Sequence, residues 1–212
     1  MSRSGPDALV LGVGNVLWAD EGFGVRCAEA FASEYDVPDT VTIMDGGTQG
    51  LALINDMAAA KRLLIFDAVD AGLPPGSLTV VRGDDVPRFV AAKKVSLHQT
   101  SMMEIIALAE LMAGGPADKI TLIGFQPVDM EDYGGGLTPE ASAQVPKALF
   151  AAVQELTLWG LAPKRSLTAM VDIMPTGITR QTYEEGRPSA EEAYRYGDDR
   201  VIAQLSKSPE SV

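Results

Sequence analysis

Short apolar runs that alternate with amphipathic segments are the feature that most constrains the fold of this chain of 212 residues. The run 7–13 (DALVLGV) is continuous and ended by glycine, which is typical of a strand buried on both faces. Further strands are predicted over 40–44 (TVTIM), 62–69 (RLLIFDAV), 77–82 (SLTVVR) and 118–125 (DKITLIGF). Helices are predicted over about 21–34, 50–60, 101–113 and 139–160. This order predicts a three-layer α/β fold, helix–sheet–helix, with a twisted, mostly parallel five-stranded sheet.

One strand of this sheet is predicted to be antiparallel. The connection between 62–69 and 77–82 is too short for a crossover helix, so we predict a hairpin of these two strands. The connection contains the turn sequence GLPPG, which suits a tight reversal of the chain.

The character of the chain changes after residue 160. The remainder is rich in charge, with scattered Pro and Gly and no convincing strand. We therefore divide the chain into an α/β domain, 1–160, and a charged C-terminal extension, 161–212, that is partly disordered or docked on the domain or a partner. Within the extension, Ser189 and Glu192 form a capping box that predicts a short helix.

Composition excludes several classes of partner. There are 17 Lys and Arg against 29 Asp and Glu, a net charge of −12, which repels nucleic acids and anionic lipid headgroups. No apolar run is long enough to span a bilayer, and the N-terminal run is broken by Asp and Gly, unlike a signal peptide. The single cysteine, Cys27, excludes an internal disulfide. We expect a cytoplasmic protein that is monomeric when free.

Three potential metal ligands follow predicted strands. Glu21 comes a turn after the first strand, Asp67 ends the strand 62–69, and His98, the only histidine, precedes the helix that starts near Ser101. Ligands of open α/β sheets bind beyond the carboxyl ends of the strands. Two carboxylates and one imidazole would form a three-ligand site with open positions, which suits Zn²⁺ or Ni²⁺. Ser101 and Glu104 form a capping box, which fixes where this helix starts and therefore the direction in which His98 points.

Each of these residues also has a purely structural interpretation. Asp20 and Glu21 are favoured at a helix N-terminus by the macrodipole alone. Asp67 could cap a turn, and His98 could form a local hydrogen bond. The positive end of the following helix favours the neutral imidazole, which is the form that binds metals.

Other catalytic patterns are absent from the sequence. Cys27 lies on the apolar face of a predicted helix, and neither a G-x-S-x-G nor an H-E-x-x-H motif occurs. The segment 12–17 (GVGNVL) begins like a dinucleotide fingerprint, but Leu17 stands in place of the third glycine. Asp20 and Glu21 would repel a pyrophosphate, so nucleotide binding is rejected.

Five motifs, in this order and spacing, are LGVGNVLWADEGFGV (11–25), DGGTQG (45–50), LLIFDAVDAG (63–72), SLHQTS (96–101) and IGFQP (123–127). Together they resemble the hydrogenase maturation endopeptidases, which process the large subunit of nickel–iron hydrogenases. The resemblance runs from about Ala8 to Gly160 and leaves the extension outside. It implies a twisted, mostly parallel sheet between helices, in agreement with the pattern of strands and helices.

The resemblance implies roles for four residues. Glu21, Asp67 and His98 correspond to the metal-contacting residues of the family, and Asp45 to an aspartate of functional importance whose role is undefined. Family members recognise nickel already inserted in the large-subunit precursor and remove a short C-terminal peptide. Nickel is thus expected to arrive with the substrate, and Zn or Cd to substitute for it in a crystal. Asp45 or a carboxylate of the trio is a candidate general base.

Two other functions remain open at this point. A nickel-binding chaperone without peptidase activity would use the same ligands. Another α/β hydrolytic or phosphorolytic enzyme would need a phosphate or nucleoside pocket, and no suitable basic cluster is visible near the strand ends.

Overall fold

A computed structural model describes residues 5–91, 102–115, 117–166 and 173–185 of the chain. Its strands are β1 (Ala8–Val13), β2 (Tyr35–Asp36), β3 (Val41–Gly47), β4 (Arg62–Ala68), β5 (Leu78–Arg82), β6 (Lys119–Phe125) and β7 (Lys164–Arg165). Its α-helices are α1 (Phe23–Glu34), α2 (Ile54–Ala59), α3 (Asp85–Ala91), α4 (Met102–Ala113) and α5 (Pro139–Leu158).

The central sheet has five strands in the order β3-β1-β4-β6-β5. β3, β1, β4 and β6 run parallel, and β5 pairs with β6 in the antiparallel direction. Helices α1 and α5 cover one face, and α2, α3 and α4 cover the other. The predicted three-layer α/β fold with one antiparallel strand is therefore confirmed.

The predicted hairpin is wrong, although β5 is indeed the antiparallel strand. β4 pairs with β6, and β5 lies on the far side of β6. The reason is burial: β6 is buried at every residue after Lys119, whereas no residue of β5 is fully buried. The continuous apolar strand takes the interior position of the sheet, and the more polar strand takes the edge.

Two helices begin later than predicted, and one helix was not predicted. The first helix begins at Phe23, because residues Ala19–Gly22 form a separate 3₁₀ turn. The helix predicted over 50–60 begins at Ile54, because Gly50–Leu53 form another 3₁₀ turn. Helix α3, which follows β5, was not predicted.

Thr138 caps α5 by accepting a hydrogen bond from the backbone N–H of Ala141, at 3.2 Å.

The core consists of two apolar clusters, one on each face of the sheet. On the α1 and α5 side, Phe23 stacks on Phe125 with ring centroids 4.5 Å apart. On the other side, Leu9, Leu11 and the residues of β4 that point the same way pack against α2 and α4. Cys27 is buried in the first cluster, as predicted, and burial raises the pKa of its thiol well above the ordinary value.

One charged side chain belongs to the core of the α5 face. Glu155 is buried, and its carboxylate accepts hydrogen bonds from Trp159 Nε1 at 3.1 Å and Thr121 Oγ1 at 3.1 Å. It also accepts from Arg82 Nε at 2.8 Å, whose side chain is largely exposed. The two core donors, Thr121 Oγ1 and Trp159 Nε1, therefore both have an acceptor. The bond from Thr121, on β6, holds α5 to the sheet.

Part of the extension packs on the domain. Leu161 is buried in the first cluster, and β7 pairs with β2 in the antiparallel direction. Residues 173–185 include a 3₁₀ turn and a five-residue π turn that lie against α1. The capping box of Ser189 and Glu192 lies outside the described residues. Among the described residues, no helix is long and apolar enough to cross a membrane.

Candidate active site at the carboxyl ends of the strands

The topology creates a crevice between the carboxyl ends of β1 and β4. From β1 the chain crosses to β3 on one side, through α1, and then to β4 on the other side, through α2. α1 and α2 cover opposite faces of the sheet, so they leave a gap where the strand order reverses. This switch point is where open α/β sheets bind their ligands.

Glu21 lies at this switch point, in the turn that follows β1. Its backbone carbonyl accepts a hydrogen bond from Asn15 N at 3.1 Å, and its own N–H donates to Trp18 O at 2.9 Å. Gly14, with φ of +139°, packs so closely on the Glu21 carbonyl that a Cβ there would overlap it. The GVGN segment therefore shapes the turn that carries Glu21. This turn accounts for the glycine at position 14, so a bound nucleotide is not needed to explain it.

Asp67 reaches the same switch point from the adjacent strand. It is the next-to-last residue of β4 and only 2 % exposed. Phe66 packs in the α1 cluster and Ile65 in the opposite one, so alternation along β4 places the Asp67 side chain on the α2 and α4 face.

Helix α1 runs unusually close to this part of the sheet. At Gly24 a Cβ would contact the carbonyl oxygens of Val13 and Phe66, at the ends of β1 and β4. The glycines of the sequence GFG thus permit the helix to cross both strand ends directly behind the crevice.

Asp45 lies two residues before the end of β3, beside β1, with its side chain on the other face of the sheet from that of Asp67. It pairs with Gly12, whose missing side chain would point at α1, so Asp45 and Asp67 start from opposite faces. Asp45 Oδ1 accepts a hydrogen bond from Gly47 N at 2.8 Å. Burial raises the pKa of the Asp45 carboxyl above its usual value, although the Gly47 N–H and the charge of Arg26 act in the opposite direction.

Asp20 connects the turn of Glu21 to the loop after β6. Its carboxylate is fully buried and accepts from three backbone N–H groups, those of Val128 at 2.9 Å, Asp129 at 3.1 Å and Thr138 at 2.8 Å. It also accepts from the Thr138 hydroxyl at 3.1 Å. The helix-dipole interpretation of Asp20 is therefore incomplete, because its hydrogen-bond partners are distant in sequence.

Gln126 performs a similar role for the loop after β4. Its side-chain oxygen accepts from Ala71 N at 2.9 Å and Leu73 N at 3.1 Å, and its Nε2 donates to Asp70 Oδ1 at 3.0 Å. The motifs LLIFDAVDAG and IGFQP are thus joined by hydrogen bonds. Three loops at one edge of the sheet are held in fixed relative positions by Asp20 and Gln126.

The predicted metal ligands are placed in part. The structure brings Glu21 and Asp67 to the ends of adjacent strands, while His98 lies outside the described residues. Among residues 5–91, 102–115, 117–166 and 173–185, no three His, Cys, Asp or Glu side chains form a group that could hold a metal ion. The trio of Glu21, Asp67 and His98 stays a prediction.

Sequence reasoning missed three residues that organise this edge: Asp20, Gln126 and Arg26. A polar residue directly after a continuous apolar strand, as in IGFQP, is a signal that could have indicated Gln126. Asp20 and Arg26 gave no such signal, since their partners come from segments more than 100 residues away.

Comparison with known proteins identifies the family. The model of the hydrogenase maturation protease family matches residues 25–155. The hydrogenase expression/formation protein HupD of Rhodobacter capsulatus is 50% identical over 199 residues, which cover 94% of each chain. Because only 160 residues precede the extension, this alignment includes most of 161–212. The resemblance therefore extends further than the motifs predicted.

A sequence match and a structural match from Escherichia coli complete the comparison. The hydrogenase 2 maturation protease is 40% identical over 151 residues, covering 69% of this chain and 90% of its own. The structure of the hydrogenase maturating endopeptidase HybD superposes with a TM-score of 0.69 and 36% identity, covering 74% of this chain and 96% of HybD. These matches exclude an unrelated hydrolase or phosphorylase. The chain belongs to the hydrogenase maturation protease family.

Proposed function

We propose that this protease removes a C-terminal peptide from the nickel-loaded large-subunit precursor of a nickel–iron hydrogenase. In this proposal Glu21, Asp67 and His98 bind the nickel that the precursor carries. The observation that supports it most is the position of two carboxylates at the switch point of the sheet: Glu21 lies in the turn after β1, and Asp67 is near the end of the adjacent parallel strand β4. The names of the similar proteins, maturation protease and maturating endopeptidase, support the reaction type.

The chemistry of the proposed ligands suits a metal held by the substrate. Carboxylate oxygen and imidazole nitrogen are common ligands of borderline divalent metals. Three protein ligands leave positions that ligands from the precursor would fill. Nickel then acts as the recognition element, because a precursor without it offers nothing for the trio to bind.

Asp45 is proposed to support the site by positioning Glu21. Its carboxylate accepts from Gly47 N at 2.8 Å, and the Gly47 carbonyl accepts from Gly14 N at 3.0 Å. Gly14 in turn lies against the backbone of Glu21. Asp45 is therefore connected to Glu21 through Gly47 and Gly14.

The proposed place of this reaction is the cytoplasm. A chain whose single cysteine, Cys27, is free and buried suits a reducing compartment.

The experiment compares nickel-loaded and nickel-free precursors as substrates of the purified protein. Mass spectrometry of the large subunit reports the loss of the C-terminal peptide. Wild type is expected to shorten only the nickel-loaded form. Glu21→Gln and Asp67→Asn are expected to lose at least about 100-fold in rate, since each removes a direct contact with the metal.

Matched controls use exposed carboxylates at the same sheet edge and on a remote turn. Glu131→Gln and Asp84→Asn make the same chemical changes at exposed positions and are expected to keep wild-type rates. Equal cleavage of both precursor forms by wild type would contradict recognition through nickel. Binding of the nickel-loaded precursor without any peptide loss would instead support the chaperone function.

A further inference from the structure

Arg26, on α1, is a fully buried cation whose partners come mainly from the extension. Its Nε donates to Glu184 at 2.7 Å, and its Nη1 donates to the Ile178 carbonyl at 2.7 Å and to Glu29 at 2.9 Å. The sulfur of Met174 lies 3.7 Å from Nη1. Removing one partner of a buried charge strongly destabilises the folded state. The contacts of Arg26 therefore hold residues 173–185 in one position.

Arg180 provides a second anchor for the same segment. Its backbone N–H donates to Glu29 on α1 at 2.8 Å, and its Nη2 donates to the Ser142 hydroxyl on α5 at 3.3 Å. Its Nε also lies 3.5 Å from Glu184. Residues 173–185 therefore bridge the two helices of one face of the domain.

The docked segment reaches the loop that Asp20 holds beside Glu21. A Cβ built on Gly136, in this loop, would lie 2.8 Å from Glu184 Cγ, so the two segments are in close contact. At its other side the segment contacts Arg26 and Glu29, whose charges act on Asp45. The segment thus lies on the α1 and α5 side of the candidate active site, against the loop after β6.

The family model ends before this segment. It matches residues 25–155, and HybD aligns over 96% of its length with only 74% of this chain. HupD, by contrast, aligns over 94% of this chain. A segment that lies outside the family model and is fixed on α1 and α5 is suited to selecting the substrate rather than to peptide hydrolysis.

We infer that residues 173–185 form a wall of the active site that selects among large-subunit precursors, with Arg26 as the positioning residue. The inference rests on the proposed function. The outer side of the wall is polar, with Thr176, Gln181 and Thr182 exposed. These side chains offer hydrogen bonds to a polar surface of the folded precursor next to the peptide that is removed.

The test uses Glu184→Lys in the full-length protein. A lysine there repels Arg26 and Arg180 and displaces the wall without changing any residue of the sheet. Glu34→Lys is the matched control, because it breaks an exposed ion pair with Arg165, 3.2 Å long, at the beginning of the extension and outside residues 173–185. Circular dichroism and thermal unfolding verify that both variants fold.

Steady-state processing is measured on two nickel-loaded precursors, the best and the worst substrates of wild type from a panel of hydrogenases. We expect Glu184→Lys to raise KM for the best substrate roughly tenfold, with kcat within about twofold of wild type. The rate on the worst substrate should stay unchanged, so that the discrimination between the two falls about tenfold.

Three outcomes are distinguishable. An unchanged ratio of kcat/KM for the two precursors in Glu184→Lys would overturn the inference, whether both rates stay constant or fall equally. A fall in the ratio with Glu34→Lys as well would also contradict it, since that variant leaves the wall in place. Failure of wild type to shorten any precursor would instead refute the proposed function.

Discussion

Replacement of Asp20 by alanine is expected to loosen the edge of the sheet that carries the active site. The change removes a fully buried carboxylate that accepts three backbone N–H groups and one hydroxyl, all between 2.8 and 3.1 Å. Without it, the N–H groups of Val128, Asp129 and Thr138 lose their acceptor inside the protein.

The magnitude follows from these lost hydrogen bonds. A buried donor left without an acceptor costs about 1–3 kcal/mol. The loop after β6 is near the surface, so water will reach some of these donors. We therefore expect Asp20→Ala to lower the free energy of unfolding by about 3–5 kcal/mol, near the upper end for single substitutions. Asp20→Asn keeps one acceptor oxygen and should cost about 2 kcal/mol.

The assay is urea unfolding at neutral pH, followed by circular dichroism and analysed with a common m-value. Asp129→Ala is the matched control, because the Asp129 carboxylate accepts from Glu131 N and Asp132 N within the same loop. Its expected cost is about 1 kcal/mol. If Asp20→Ala cost no more than Asp129→Ala, the loop would not depend on the buried carboxylate, and the reasoning would be refuted.

Three further substitutions test other parts of the structure. Asp45→Asn should stabilise the fold at neutral pH, because burial raises the pKa of Asp45 and its charged form is disfavoured in the folded state. The difference in stability between the variant and wild type should shrink as the pH falls and Asp45 becomes protonated in wild type. Glu155→Ala should cost about 2–4 kcal/mol, since it leaves Thr121 and Trp159 without their acceptor. Gly24→Ala should cost about 3 kcal/mol through contact with carbonyl oxygens of β1 and β4.

The following outcomes and control substitutions test these three predictions. Constant relative stability of Asp45→Asn and wild type across acidic pH would contradict the raised pKa. Glu34→Ala, which removes an exposed pair, should cost less than about 0.5 kcal/mol, and an equal cost for Glu155→Ala would contradict its buried role. Gly177→Ala adds a methyl group into open space and should be nearly neutral, unlike Gly24→Ala.

Local patterns were sufficient to predict the layers of the fold. The apolar runs of β1, β4 and β6 have few alternatives to a buried parallel strand, and the helices between them require both faces of the sheet. Strand order was less accessible, because the pairing of β5 depends on how polar it is relative to β6 and not on the length of the turn before it.

Local reasoning can place a residue at the candidate site only where the residue lies near the end of a strand in sequence. Asp67 is the next-to-last residue of β4 and Glu21 lies in the turn after β1, so their common edge could be predicted. Asp20 was misinterpreted because a carboxylate before a helix has a common local explanation, while its real partners come from the loop after β6. The docking of Arg26 on the extension depends equally on contacts between distant segments.

X-ray absorption at the nickel edge tests most directly whether nickel binds at the crevice. The spectrum of the nickel-loaded precursor is recorded alone and in a rapidly frozen mixture with the protease. We predict new oxygen and nitrogen ligands about 2 Å from nickel when wild type is added, and fewer with Asp67→Asn. A nickel spectrum that stays the same when wild type binds the precursor would contradict the claim.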